Sequence, residues 1–173
     1  MAFDPSAFDS TAFDTASPCE IDFKAICDAL AACYAPGTIA RPTGAVAMRK
    51  SYGQIPKNVP AVPAVIVVPQ QGTVTANPGQ WKHEMALDAV FILAKRPGDP
   101  ARVEAQRQIW LPTLLGATQG QLKLGLGSEC GYSVDKAIPN GWDFVEFPVG
   151  GDTYDGIVIH YTVYVTQTVT LVP

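Results

Sequence analysis

The stretch from residue 80 to residue 94 constrains the fold more than any other part of the chain. One parity carries Trp81, His83, Met85, Leu87, Ala89, Phe91 and Leu93, and the other carries Lys82, Glu84, Ala86, Asp88, Val90, Ile92 and Ala94. As far as Asp88 every charged side chain keeps to the second parity, the period-two mark of a strand with one buried face. Beyond Asp88 both parities are apolar, so that end is expected to be covered on both sides. At about 3.4 Å per residue the strand reaches roughly 45 Å, well past the usual five or six residues. Such a strand needs an equally long neighbour. Residues 157–172 supply one, with Ile157, Ile159, Tyr161, Val163, Val165, Val169 and Leu171 alternating with His160, Thr162, Tyr164, Thr166, Thr168 and Thr170. The two are expected to pair antiparallel, with the Thr row facing solvent.

The remaining elements follow from caps and breakers. Ser17-Pro18-Cys19-Glu20 has the form of a helix start, with Ser17 as N-cap, Pro18 as first helical residue and Glu20 closing a capping box. Phe23, Ile26, Cys27, Leu30, Cys33 and Tyr34 then recur at three- and four-residue steps, one buried stripe, until Pro36-Gly37 ends the helix. Residues 38–60 read as a long loop with a short strand at 45–48, and a connection of that size is usually functional or ordered by a partner. Residues 62–69 read as a central buried strand, and residues 70–79 as a turn region with a small strand at 73–75. Asp99 and Pro100 open a second helix, with Val103, Gln106, Trp110 and Leu114 along one side and Pro112 expected to kink or split it. Residues 132–138 and 144–149 read as strands joined by a turn at Pro139-Asn140-Gly141, and Gly150-Gly151-Asp152 is a further turn. The predicted class is α+β: a mixed, mainly antiparallel sheet with long strands, covered by two main helices, formed by residues 17–173. Residues 1–16 are expected to form an extended arm.

That arm repeats a five-residue unit three times: Ala2-Phe3-Asp4-Pro5-Ser6, Ala7-Phe8-Asp9-Ser10-Thr11 and Ala12-Phe13-Asp14-Thr15-Ala16. A period of five matches neither a strand nor one helix face. Phe3, Phe8 and Phe13 are costly to leave in water, which favours an arm laid into pockets over a free leader. Charge is uneven. Residues 1–22 carry Asp4, Asp9, Asp14, Glu20 and Asp22 with no Lys or Arg, whereas residues 23–58 carry Lys24, Arg41, Arg49, Lys50 and Lys57 against Asp28 alone. The acidic arm and the basic loop either meet, within one subunit or between two, or are separately solvated. With 47% hydrophobic and 16% charged residues, the chain has few solvating charges, which suggests apolar surface meant for partners.

No catalytic motif is legible. Gly125-Leu126-Gly127-Ser128-Glu129-Cys130-Gly131 has the wrong spacing for a dinucleotide loop, and there is no phosphate-binding loop or GxSxG elbow. His83 and His160 are the only histidines and read as surface strand residues without the further ligands a metal needs. Asp152 and Asp155 could pass for a weak calcium or acid/base pair, but nothing supplies its second half. Cys27 and Cys33 read as buried reduced thiols, and the four cysteines fit neither a disulfide framework nor a zinc pattern. Arg41, Arg49, Lys50, Tyr52 and Lys57 make a basic loop with one aromatic, yet a pI near 5.0 argues against a dedicated nucleic-acid domain. No apolar run approaches the ~18–20 residues of a membrane span, and the N-terminus lacks the basic and apolar regions of a signal peptide. The expectation is no enzyme, no cofactor and no metal.

The order of elements nevertheless resembles a known family. A helix through Ala25-Ile26-Cys27-Asp28-Ala29-Leu30-Ala31, a Pro-flanked strand at Val62-Pro63-Ala64-Val65-Ile66-Val67-Val68-Pro69 and a long strand come first. A capped helix at Asp99-Pro100-Ala101-Arg102-Val103 and a closing aromatic-to-Thr strand from Tyr154 follow. Over about residues 20–172 this is similar to the tail-terminator (neck) proteins of long-tailed bacteriophages, a likeness of pattern and order rather than of an invariant motif. The resemblance implies a virion structural protein, assembled in the host cytoplasm, that forms a homo-hexameric ring on the last ring of the tail tube. Such a ring stops tube polymerisation and meets the head-completion or connector protein, while DNA passes through its lumen without specific binding. The AFD arm departs from that pattern. Candidate interface residues are Phe3, Phe8 and Phe13 of the arm, Arg49, Lys50, Tyr52 and Lys57 of the basic loop, and Trp81, Lys82, Glu84 and Asp88 on the long strand. The alternatives are another neck or tube ring protein, such as a head-tail stopper or minor tail-tube protein, or a monomeric ligand-binding or enzymatic α+β domain.

Overall fold

A computed structural model describes residues 21–119, 123–126 and 131–169. Its elements are α1 (Phe23–Ala32), β1 (Lys50–Tyr52), β2 (Ala64–Asn77), β3 (Gln80–Lys95), α2 (Pro100–Gly116), β4 (Tyr132–Val149) and β5 (Asp152–Thr168). They form one five-stranded sheet in the order β1-β2-β3-β5-β4, with only the β1–β2 pair parallel. The α+β class with long antiparallel strands is what the alternation predicts. The antiparallel pairing of the two longest apolar stretches is there as well, in a register that sets His83 opposite Val165, Leu87 opposite Tyr161 and Phe91 opposite Ile157.

The change of pattern at Asp88 has a direct structural counterpart. On one face, Met85, Leu87, Ala89 and Phe91 join Ile157, Ile159, Tyr161, Val163 and Val165 beneath Ile26 and Leu30 of α1 and Trp110 and Leu114 of α2. Phe91 meets the Tyr34 ring edge-on at 4.7 Å between centroids. On the other face only the Val90–Ile92 end is covered, by a second cluster with Val59, Ala64, Ile66, Val149, Tyr154 and Val158. A two-sided apolar strand end is thus a strand end with two cores.

Local expectations fare less evenly. Asp99 caps α2, accepting from the Ala101 amide at 3.0 Å with Pro100 at the first position, as its sequence predicts. Pro112 does not split that helix. It lies on an exposed side, where water can satisfy the carbonyl its ring leaves unbonded. The first helix starts later than the Ser17-Pro18-Glu20 signal implies: Asp22 is the N-cap, its carboxylate accepting from the Ala25 amide at 2.8 Å. Ser17, Pro18, Glu20 and the whole AFD arm lie outside the described residues. Phe23, assigned to the buried stripe, is exposed in the first turn. The strand expected at 45–48 is loop, because Arg41 Nε donates to the Ala45 carbonyl and ties off a turn there. Pairing begins instead at Arg49, whose amide donates to the Pro63 carbonyl.

Two supposed turns are not turns. Residues 70–77 continue β2 past a register shift between Pro69 and Gly72, and the chain reverses only at Pro78-Gly79, where Gly79 takes φ +76°. Consequently β2 is central for only its first few residues: β1 covers it as far as Ile66. Pro139-Asn140-Gly141 is a bulge within an unbroken β4. The 17-residue β5 offers continuous pairing along its length, and the extra residue is absorbed as Asn140 donates its side-chain amide to Thr162 Oγ1 at 2.7 Å.

Candidate assembly surfaces

The open sheet face carries a polar chain that crosses four strands. His160 of β5 holds Asp88 of β3 through Nδ1 at 2.6 Å and Asp143 of β4 through Nε2 at 3.1 Å. Gln70 of β2 donates to the other Asp88 oxygen at 2.9 Å. The hydrogen bond to Asp88 raises the His160 pKa above its ordinary value, aided by Asp143 and opposed by partial burial. His83 does not approach it. The alternation sends His83 to the helix-side face, where it is buried and paired with Gln167 at 3.2 Å, so its reading as a surface residue is corrected. Both His160 nitrogens are engaged, and the arrangement pins strands together. Among the described residues no group of three or more His, Cys, Asp or Glu is placed to hold a metal ion.

A pH dependence follows. A raised folded-state pKa means that the stabilisation is fully present below about pH 6.5 and is lost as pH rises through the folded value. His160 is about one-third exposed, at 35%, so the effect should stay below roughly 1 kcal/mol. Chemical denaturation at pH 6 and pH 8.5 should show the wild type losing this increment at the higher pH and Asp88→Asn losing most of the difference. Equal pH profiles for the two proteins would refute the assignment.

Asp152 and Asp155 do not form an acid/base pair. Asp152 accepts an ion pair from Lys95 at 2.7 Å. Asp155 is buried and accepts from Arg96 Nε at 3.0 Å and Nη2 at 2.8 Å, with Arg107 Nη2 at 3.5 Å. Glu146 holds the outer side of Arg96 at 2.8 Å. Arg107, projecting from α2, lies 5.0 Å above the Phe144 ring, and Phe144 packs on Trp142 with centroids 5.3 Å apart. Trp142 and Phe144 remain 44% and 41% exposed, a paired aromatic surface on the outermost strand of the sheet.

Two strand edges are open. Among the described residues nothing pairs with the outer side of β4, and nothing pairs with the outer side of β2 beyond Ile66. The far part of the β2–β3 hairpin, residues 69–82, is exposed on both faces, Val74 by 57% and Trp81 by 40%. The hairpin is nevertheless a corner of the sheet, since β3 pairs with β5 as far as Gln80 opposite Thr168.

Phe3, Phe8 and Phe13 lie outside the described residues, and the other residues singled out from sequence fall into two groups at opposite ends of β3. Lys82 and Glu84 share the open face near the hairpin, while Trp81 points to the opposite face and stays 40% exposed. Asp88 is on the same face as Lys82 but is committed internally to His160 and Gln70. At the other end, Lys50 and Tyr52 lie on β1, with Tyr52 packed against the second core and Lys50 exposed. Arg49 precedes them, and the Lys57 carbonyl abuts Gly150. Sequence reasoning missed Asp143, Trp142, Phe144 and Arg107. The alternation of Trp142 and Phe144 was available, but the strand after the supposed turn was begun at Phe144, which left Trp142 outside it. Cys27 and Cys33 are both buried, as their place on the helix stripe predicts. No described helix is long and apolar enough to cross a membrane. Neither protein-family profiles nor curated protein sequences match the chain.

Proposed function

We propose that this chain is a virion structural protein whose copies form a ring that caps a phage tail tube, ends its polymerisation and joins the tail to the head or connector. The observation that carries the reading is the pair of edges open among the described residues, β4 on one side of the sheet and the exposed β2–β3 hairpin on the other. Unequal surfaces on opposite flanks favour head-to-tail association, which closes into a ring when the rotation is right. An open strand edge of 18 residues is an aggregation hazard unless a partner covers it, and an obligate ring removes the hazard. The overall acidic balance, −4, suits a lumen through which DNA slides without being held. The resemblance in element order supplies the tail-terminator assignment; a hexamer with tube and connector partners belongs to that same proposal, as does a place in the tail neck.

Native mass spectrometry and negative-stain microscopy of the purified chain test it. A closed homo-oligomer with a central opening is expected, and replacing Trp142 and Phe144 together with Lys should convert it to monomers while the circular dichroism spectrum is kept. A wild-type chain that stays monomeric and binds a small molecule would overturn the proposal.

A further inference from the structure

A cleft of about 320 Å³ lies where the basic loop meets the start of α2. Val46, Val62, Pro63, Leu93 and Val103 provide apolar wall, and Arg102 stands at its edge. The other charges there are already committed: Lys95 to Asp152, and Asp99 to the Ala101 amide as helix cap. Arg102 is exposed and has no carboxylate within ion-pair distance among the described residues. The site therefore asks for an apolar group followed closely by an anion.

We infer that this cleft receives the chain's own N-terminal arm, with Phe8 between the apolar walls and Asp9 against Arg102. The arm offers that chemistry three times, as Ala-Phe-Asp, and carries no Lys or Arg to oppose the docking. Burying a Phe side chain is strongly favourable, whereas a cleft lined this way gains little from water. The one carboxylate in the cleft wall, Asp99, is engaged by the Ala101 amide, and the first turn of α2 adds no further acidic side chain. Reach is sufficient. Phe8 precedes Ile21 by thirteen residues, about 43 Å of extended chain, while five strands at roughly 4.8 Å make a sheet about 24 Å wide. Ile21 is itself buried in the helix-side core, so the arm is tethered on the face that α1 and α2 share. A tether of this length holds the arm at a high effective concentration, which favours docking within the chain over docking between chains.

The test uses the full chain with p-benzoylphenylalanine in place of Phe8, irradiated and mapped by mass spectrometry. The expected product is an adduct within one chain to Val46, Val62, Leu93 or Val103. Arg102→Glu, an exposed substitution that leaves the walls intact, should lower the yield about fivefold, the size of one surface charge interaction. Adducts confined to other parts of the fold, adducts only between chains, or no adduct at all would each overturn the docking. An unchanged yield in the Arg102→Glu protein would remove the charge pairing from it.

Discussion

Gly156→Ala should cost about 3 kcal/mol or more and leave a protein that is largely unfolded or insoluble at ordinary temperature. A Cβ at Gly156 would stand 2.1 Å from the Phe91 carbonyl oxygen and 3.1 Å from its carbon, contacts with backbone atoms that cannot swing aside. Relief would require β3 and β5 to separate beside their register shift between Ile92 and Ala94, in the middle of both cores. Overpacking usually costs about 1–3 kcal/mol, and a clash with fixed backbone belongs at or above the top of that range. Gly141→Ala is the internal control, since its added methyl would meet nothing nearer than His160 Cδ2 at 3.6 Å. Urea denaturation measures both. A wild-type midpoint for Gly156→Ala would show that the strands do not approach as described.

Gly156 also shows which parts of the fold were readable from the sequence. Strands β3 and β5 were, because each announces its buried face in its own alternation and needs no knowledge of its neighbour. The helix cap at Asp99 was, because capping is decided within a few residues. The extension of β2 through residues 70–77 was not, because Gln70, Gln71 and Gly72 have poor strand character and mark a register shift, beyond which only the pairing of residues 72–77 with β3 continues the strand. Pro139-Asn140-Gly141 failed for the same reason: its turn chemistry is real, but β5 pairs past it and turns it into a bulge. The site was less legible than the fold. His160 was seen without its partners because Asp88 is 72 positions away in the chain and Asp143 is 17, and only the sheet order β3-β5-β4 sets them on either side of it. Lys82 and Glu84 were placed on the correct face by parity alone. The Trp142–Phe144 surface required knowing that β4 is the last strand of the sheet.

Asp155→Ala should be the most damaging change to a charged side chain, about 2–4 kcal/mol, because it strips a largely covered cation of its counter-charge. Arg107 is the cation concerned: its side chain is only 17% exposed, its Nε has no hydrogen-bond partner among the described residues, and its remaining carboxylate neighbour, Glu104, is 3.8 Å away. Arg96 suffers less, since it is 43% exposed and keeps Glu146. Glu146→Gln should therefore be nearly neutral, as its carboxylate is 58% exposed and works against water. A second readout separates a lost charge pair from general loosening. Arg107 lies over the Phe144 ring, so an Arg107 no longer held by Asp155 alters the aromatic surface of β4 while the second core and the open-face ladder stay intact. Near-ultraviolet circular dichroism and Trp142 fluorescence should change in Asp155→Ala at temperatures where far-ultraviolet signal is still native. If the proposed ring uses that surface, its subunits should exchange faster in this variant than in Glu146→Gln. Equal midpoints for Asp155→Ala and Glu146→Gln would mean that Arg107 is already satisfied by solvent and that the buried carboxylate does not hold α2 to the sheet.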